Sequence, residues 1–103
     1  MSSGFGKVTL VGVGLLGGSL GLALKQRGLA ETITGVGRRQ EVIDAALAIG
    51  AIDAGTQSLE SAIRGADLIV LCTPAALILQ QLDTVRARVA PHVVVTDVGS
   101  TKA

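Results

Sequence analysis

Residues Val8 to Ser19 read V-T-L-V-G-V-G-L-L-G-G-S. A short apolar run of β character breaks into Gly12-x-Gly14-x-x-Gly17, and the residues after the turn suit a helix. Strand, glycine turn and helix in that order form a cradle for a diphosphate. Gly12 permits a tight turn out of the strand. Gly14 lets the backbone approach a pyrophosphate, and Gly17 lets the helix lie close to the strand. The anion then meets unpaired N–H groups and the positive end of the dipole at the helix N-terminus, beside Leu15 and Leu16. The expected chemistry is dinucleotide binding. In a chain with 14 glycines the spacing alone is weak, and its context raises it.

A second group of residues bears on which dinucleotide. In an NAD site an acidic residue about 20 positions after the glycines holds the ribose hydroxyls. Here the second apolar run ends V-G-R-R, so Gly37 stands in the place of that carboxylate and Arg38 and Arg39 come next. No acceptor for the ribose diol is present there, and nothing repels a 2′-phosphate. Two guanidinium groups can grip such a phosphate through charge-assisted bonds. The expected cofactor is therefore NADP rather than NAD. The alternative is that both arginines are solvated surface charges. Against it, cations just before a helix N-terminus are mildly unfavourable unless an anion binds.

These residues need elements to position them. Strands are expected at Lys7–Val13, Thr32–Val36 and Asp67–Cys72, with a very short one within Ala51–Thr56 and a last one at Val93–Val98. Helices are expected at Leu15–Arg27 and Gln40–Ile49, from a Ser58 N-cap to Gly65, and from Thr73-Pro74 to about Val89. Their inward faces are Leu16, Leu20, Ala23 and Leu24, then Val42, Ile43, Ala46 and Leu47, then Ile78, Leu82, Val85 and Val89. Gly28 suits an αL cap on the first helix. That helix also carries Gly17, Gly18 and Gly21, each costing roughly 0.5–1 kcal/mol against Ala. Either tight helix–sheet packing or a ligand at the helix N-terminus explains them.

Strands alternating with helices of this length imply parallel pairing and right-handed crossovers. The expected fold is α/β, a Rossmann-type doubly wound parallel sheet of order 3-2-1-4-5, with residues 1–103 as one NAD(P)-binding domain. Ligands bind such sheets beyond the C-terminal strand ends at the switch point, here between the first and fourth strands. Three loops converge there: Gly12–Gly17, Thr73–Ala76 and Val98–Lys102.

Composition agrees. Of 103 residues, 49% are hydrophobic and Phe5 is the one aromatic, so the core must be built from Val, Ile, Leu and Ala, as in buried parallel strands. A net charge of +1 gives no electrostatic case for nucleic acid or a membrane surface. No apolar run approaches a membrane span or a signal peptide. The single cysteine, Cys72, excludes an internal disulfide and a multi-cysteine metal site. No metal is expected, and the cytoplasm is the default location.

Three segments together resemble a known family. G-V-G-L-L-G-G-S-L-G-L-A-L-K (Gly12–Lys25), L-I-V-L-C-T-P (Leu68–Pro74) and V-V-T-D-V-G-S-T-K (Val94–Lys102) are similar to the N-terminal domain of prephenate/arogenate dehydrogenases. The likeness runs along nearly the whole chain in the right order, and D-x-G-S-x-K is far more specific than the glycine turn. It implies NADP-dependent oxidative decarboxylation of prephenate or arogenate in tyrosine biosynthesis, in a full-length homodimer. By the same likeness Ser100 matches the family's active-site serine. Thr73 and Pro74 match the loop beside the nicotinamide half of the cofactor, and Asp97 and Gly99 belong to the D-x-G-S-x-K motif. An N-cap or turn role for Ser100 and plain helix capping by Thr73-Pro74 are the alternatives.

The departures are as informative. The family's catalytic histidine lies in a G-x-H-P segment beyond D-x-G-S-x-K, and the helical substrate and dimerisation domain comes after it. Neither is within these residues, so this piece alone is expected to lack turnover. His92 precedes the last strand, at the edge of the sheet away from the cofactor, and is no substitute. Cys72 is read as a strand residue rather than a nucleophile. Two other readings stay open: the cofactor domain of another two-domain NADP-dependent reductase, and a non-enzymatic NADP-sensing module.

Overall fold

The computed structural model describes residues 5–73 and 75–97. Strands and helices alternate along them: β1 (Phe5–Val11), α1 (Leu15–Gln26), β2 (Ala30–Val36), α2 (Gln40–Ala48), β3 (Ala54–Thr56), α3 (Leu59–Ile63), β4 (Leu68–Leu71), α4 (Ala75–Arg88) and β5 (Val94–Asp97). All strand pairs are parallel, in the order β3-β2-β1-β4-β5, as the sequence predicts.

Two apolar layers sandwich the sheet. On one face Val8, Leu10, Ile33, Leu68 and Val70 pack against Leu24 of α1 and Ile43 and Ala46 of α2. On the other, Val11, Val36, Ile69 and Leu71 pack against Ala62 and Ile63 of α3 and Ile78 and Val85 of α4. Leu10, Ile33, Ile43, Ile69 and Leu71 are wholly buried, each contributing roughly 1.5–3 kcal/mol of transfer free energy. Thr9 is the one buried polar residue among those described, and its hydroxyl donates to the Ala62 carbonyl at 2.6 Å. That bond ties the end of α3 to the central strand.

The differences from the sequence expectations have local causes. β1 stops at Val11 instead of Val13, because Gly12 turns the chain at φ 98° and drives Val13 into the core. β3 is shorter than Ala51–Thr56: Ala51 and Ile52 are buried under the sheet edge, and Asp53 N–H bonds Ile33 O at 2.7 Å. Helical spacing predicts an inward Leu47, yet it is 38% exposed. β3 pairs only with Thr34–Val36, so the last turn of α2 has no strand beneath it to cover. Val98 lies outside the described residues.

Candidate functional site

The C-terminal ends of the central strands are level, with Val11 opposite both Val36 and Leu71. α1 leaves β1 toward one face of the sheet and α4 leaves β4 toward the other. A cleft opens between their first turns, as expected at a topological switch point. Gly12 forms its floor. Its N–H donates to Val36 O at 2.8 Å, and a β-carbon there would lie 2.9 Å from the Thr73 methyl and 3.1 Å from Cys72 O. Positive φ and close approach both demand glycine at this position.

The three glycines of the turn have separable roles. Gly17 is buried, and a β-carbon on it would collide with the carbonyl oxygen of Gly12. Gly21 stands in the same relation to the carbonyl of Ala51. Close packing therefore accounts for both. Gly14 is different: among the described residues, and apart from its chain neighbours and its own helix backbone, no atom lies within 4 Å of where its β-carbon would be. The fold does not require glycine there, whereas a ligand lying on the backbone would. Gly14 is also the N-cap of α1, with no side-chain cap and no acidic residue in the first turn. Nothing acidic there competes for an anion at the N–H groups that precede the first helical bond, Gly18 N–H to Gly14 O at 2.8 Å.

A cavity of about 450 Å³ opens from this turn toward the end of β2, within the size range of small-molecule sites. It brings together Gly12, Gly14, Gly37, Arg38, Arg39 and Thr73 of the residues singled out from sequence. Val42, Leu59 and Leu77 supply apolar wall, and Gln57, Cys72 and Gln81 supply polar atoms. At Gly37 a β-carbon would come within 3.0 Å of Ile43 and 3.3 Å of Val13. A side chain there would require Ile43 and Val13 to shift by a few tenths of an ångström, and with glycine in place this strand end carries no carboxylate. Arg39 is the N-cap of α2, and its Nη2 lies 3.2 Å from Glu41 Oε2 with both side chains more than 70% exposed. An exposed pair of this kind contributes little and yields readily to a better anion.

Thr73 Oγ1 donates to Gln81 Oε1, joining the end of β4 to the second turn of α4. Burial pushes the Cys72 thiol up to about 11, so at neutral pH it is a protonated wall group, consistent with a structural role. Gly17 lies behind Gly12, outside the cavity wall. Asp97 ends β5 in register with Leu71 and does not line the cavity. Pro74, Gly99 and Ser100 lie outside the described residues, as do the side chains of Leu15 and Leu16. His92 is exposed at the opposite edge of the sheet, 3.8 Å from Asp67 Oδ1, remote from the glycine turn.

Sequence reasoning missed Gln57, Leu59, Leu77 and Gln81. Leu77 and Gln81 are one turn apart on the stripe beside the apolar face of α4, and no spacing rule distinguishes that stripe from a solvated one. Among the described residues no cluster suits a metal ion, and no helix is long and apolar enough to cross a membrane.

A parallel sheet of this order with a glycine turn at its switch point defines a Rossmann-type nucleotide-binding domain. The chain belongs to the family described as prephenate dehydrogenase, nucleotide-binding domain, whose sequence profile matches residues 20–103. It is 35% identical over 96 residues to a prephenate dehydrogenase of Bacillus subtilis, covering 92% of this chain and 26% of that protein. It is 31% identical over 102 residues to a cyclohexadienyl dehydrogenase of Zymomonas mobilis, covering 95% and 33%. Prephenate dehydrogenase from A. aeolicus, solved with hydroxyphenyl propionate and NAD+, superposes with a TM-score of 0.87 at 28% identity, covering 94% of this chain and 34% of that one. Synechocystis arogenate dehydrogenase gives 0.81 at 37% identity, covering 91% and 33%. The chain thus spans about a quarter to a third of the length of these relatives.

Proposed function

We propose that the chain is the NADP-holding part of a prephenate or arogenate dehydrogenase. The observation that supports this is one cavity joining the open backbone at Gly14 to Arg38 and Arg39, over a Gly37 that carries no carboxylate. The residues fit the group. The N-terminus of α1 at Gly14, Leu15 and Leu16 receives the diphosphate, and Arg38 and Arg39 receive the 2′-phosphate. By the family likeness the loop of Thr73 and Pro74 leads toward the nicotinamide half, with Thr73 itself in the cavity wall where the two halves of the dinucleotide meet. By the same likeness Asp97 and Gly99 belong with Ser100 to the cofactor-side motif, and Ser100 takes a hydrogen-bonding role at the reacting hydroxyl. When bound, the cofactor supplies the hydride acceptor for an oxidative decarboxylation that makes the ring aromatic. The base, the substrate pocket and the dimer contacts belong to the part of the relatives that this chain does not span. The full-length protein is read as a cytoplasmic homodimer serving tyrosine biosynthesis.

The test is the affinity of the chain for the two nicotinamide dinucleotides, read from the fluorescence of NADPH and NADH. NADPH is expected to bind at least about tenfold tighter, a difference of about 1.4 kcal/mol. Equal or tighter binding of NADH overturns the NADP reading, and no binding of either overturns the site. Turnover of prephenate or arogenate by these residues alone would overturn the assignment of the missing base.

A further inference from the structure

α4 carries two stripes with different neighbours. Ile78 and Val85 go into the core with Leu82 and Val89 packed beside them, while Leu77 and Gln81, four residues apart on the adjacent stripe, line the cavity. The Thr73 hydroxyl donates to Gln81 Oε1. That bond restrains the carboxamide and occupies one lone pair of its oxygen. The NH2 group, with two N–H bonds to give, meets no protein acceptor among the described residues. A half-buried donor at a cavity wall, oriented by the protein through its other end, is prepared for an acceptor on a ligand.

The cavity's direction decides which part of the ligand that is. Its wall includes Arg38 and Arg39 and no described residue of β5. It therefore extends from the diphosphate turn toward β2, where the phosphoadenosine end of the dinucleotide lies under the proposed function, on which this inference rests. Leu77 offers apolar surface to the flat face of a purine, and Gln81 lies one turn further along the same wall.

We propose that Gln81 is a cofactor-binding residue whose amide Nε2 donates to the adenosine half of the dinucleotide, with Thr73 as the positioning residue that sets its orientation. A purine offers ring-nitrogen acceptors at its edge, which an amide can read and an apolar side chain cannot. Neither residue type nor spacing marks Gln81 for this role in the sequence. The placement of α4 does.

The experiment compares the unchanged chain with Gln81→Met and Thr73→Val, reading NADPH affinity by fluorescence, adenosine 2′-phosphate affinity by competition, and the thermal midpoint without ligand. Gln81→Met should weaken both ligands by the same factor, about three- to tenfold, as expected for one neutral hydrogen bond. The unliganded midpoint should fall slightly in both variants, as loss of one half-buried hydrogen bond predicts, and Thr73→Val should give a smaller loss of affinity for both ligands. Unchanged affinity in Gln81→Met overturns the proposal. So does a loss confined to NADPH, which would place the donor on the diphosphate. A lowered midpoint with intact affinity in both variants would assign the bond to anchoring the helix alone, again overturning it. Failure of the unchanged chain to bind NADPH would count against the proposed function instead.

Discussion

Gly17 of α1 lies against the carbonyl oxygen of Gly12, so close that a β-carbon on Gly17 would collide with it, while Gly14 between them has open space on its side-chain side. Glycines of one motif thus answer to different constraints, and substitution should separate them. Gly17→Ala forces the helix off the turn and should cost about 1–3 kcal/mol, which thermal unfolding will show as a clear fall in midpoint. Gly14→Ala, at a φ of −69° open to any residue, should leave stability within about 0.5 kcal/mol while NADPH affinity falls about tenfold or more. Retained affinity in Gly14→Ala would remove the diphosphate from this turn.

The arginine pair predicts a selective loss. Arg38→Ala with Arg39→Ala should weaken NADPH by roughly 10- to 100-fold, the effect of losing charge-assisted bonds worth about 1.5–3 kcal/mol, and change NADH binding by no more than about threefold. Rising ionic strength should narrow the gap in the unchanged chain and not in the variant. Equal losses for both dinucleotides would show that the arginines do not read the 2′-phosphate.

Asp53 gives a pH dependence. Burial raises its carboxyl, but the bonds from Lys25 and the Ile33 N–H and the Lys25 charge outweigh burial and hold it below the ordinary 3.8. A carboxyl lowered on folding contributes stability that is complete above its unfolded value and lost as pH falls through its folded one. The pair is about one-third exposed, so its contribution is at most about 1 kcal/mol. Asp53→Asn should therefore lower the midpoint slightly at neutral pH, and the difference from the unchanged chain should vanish only well below pH 3.8. A difference that grows on acidification would reverse the sign.

Much of this architecture is legible in the sequence. The strand order comes from alternating elements and right-handed crossovers, and Gly28, Gly50 and Gly65 mark their turns with positive φ as their positions suggest. The features that could not be read depend on lateral neighbours. The exposure of Leu47 is decided by the shortness of β3, a strand that covers only part of α2. Gly37 is legible as the absence of a carboxylate, but its enclosure by Ile43 and Val13 requires the helix to be docked. Arg38, Arg39 and Thr73 are singled out by local pattern and line the cavity, whereas Gln81 reaches it only because α4 crosses above β4 at one rotation about its axis.

Thr9 makes a stability prediction at the centre of the sheet. Its hydroxyl is fully buried and bonded to Ala62 O, so Thr9→Val keeps the shape and strands that carbonyl. A cost of about 1–3 kcal/mol is expected in chemical denaturation, with no effect on the NADPH affinity of the folded chain. A neutral substitution would mean that Ala62 O finds water instead.

Cys72 should be slow to alkylate. With its thiol titrating at about 11, the reactive thiolate is scarce at neutral pH, and labelling by iodoacetamide should climb steadily toward that value. Because Cys72 lines the cavity, saturating NADPH should slow the reaction further. Rapid labelling at neutral pH, indifferent to NADPH, would contradict both its burial and its place in the wall.

The cleft at the switch point is also a seam. One bank, with Val13, Arg39 and Val42, is carried by the layer of α1 and α2; the other, with Leu59, Leu77 and Gln81, is carried by the layer of α3 and α4. A molecule lodged between them acts as a rivet through two plates that otherwise share only the sheet. Its departure loosens neither plate alone but the register between them, so amide exchange in both layers should slow together when it binds. Occupancy of the cavity then becomes a mechanical property of the whole domain.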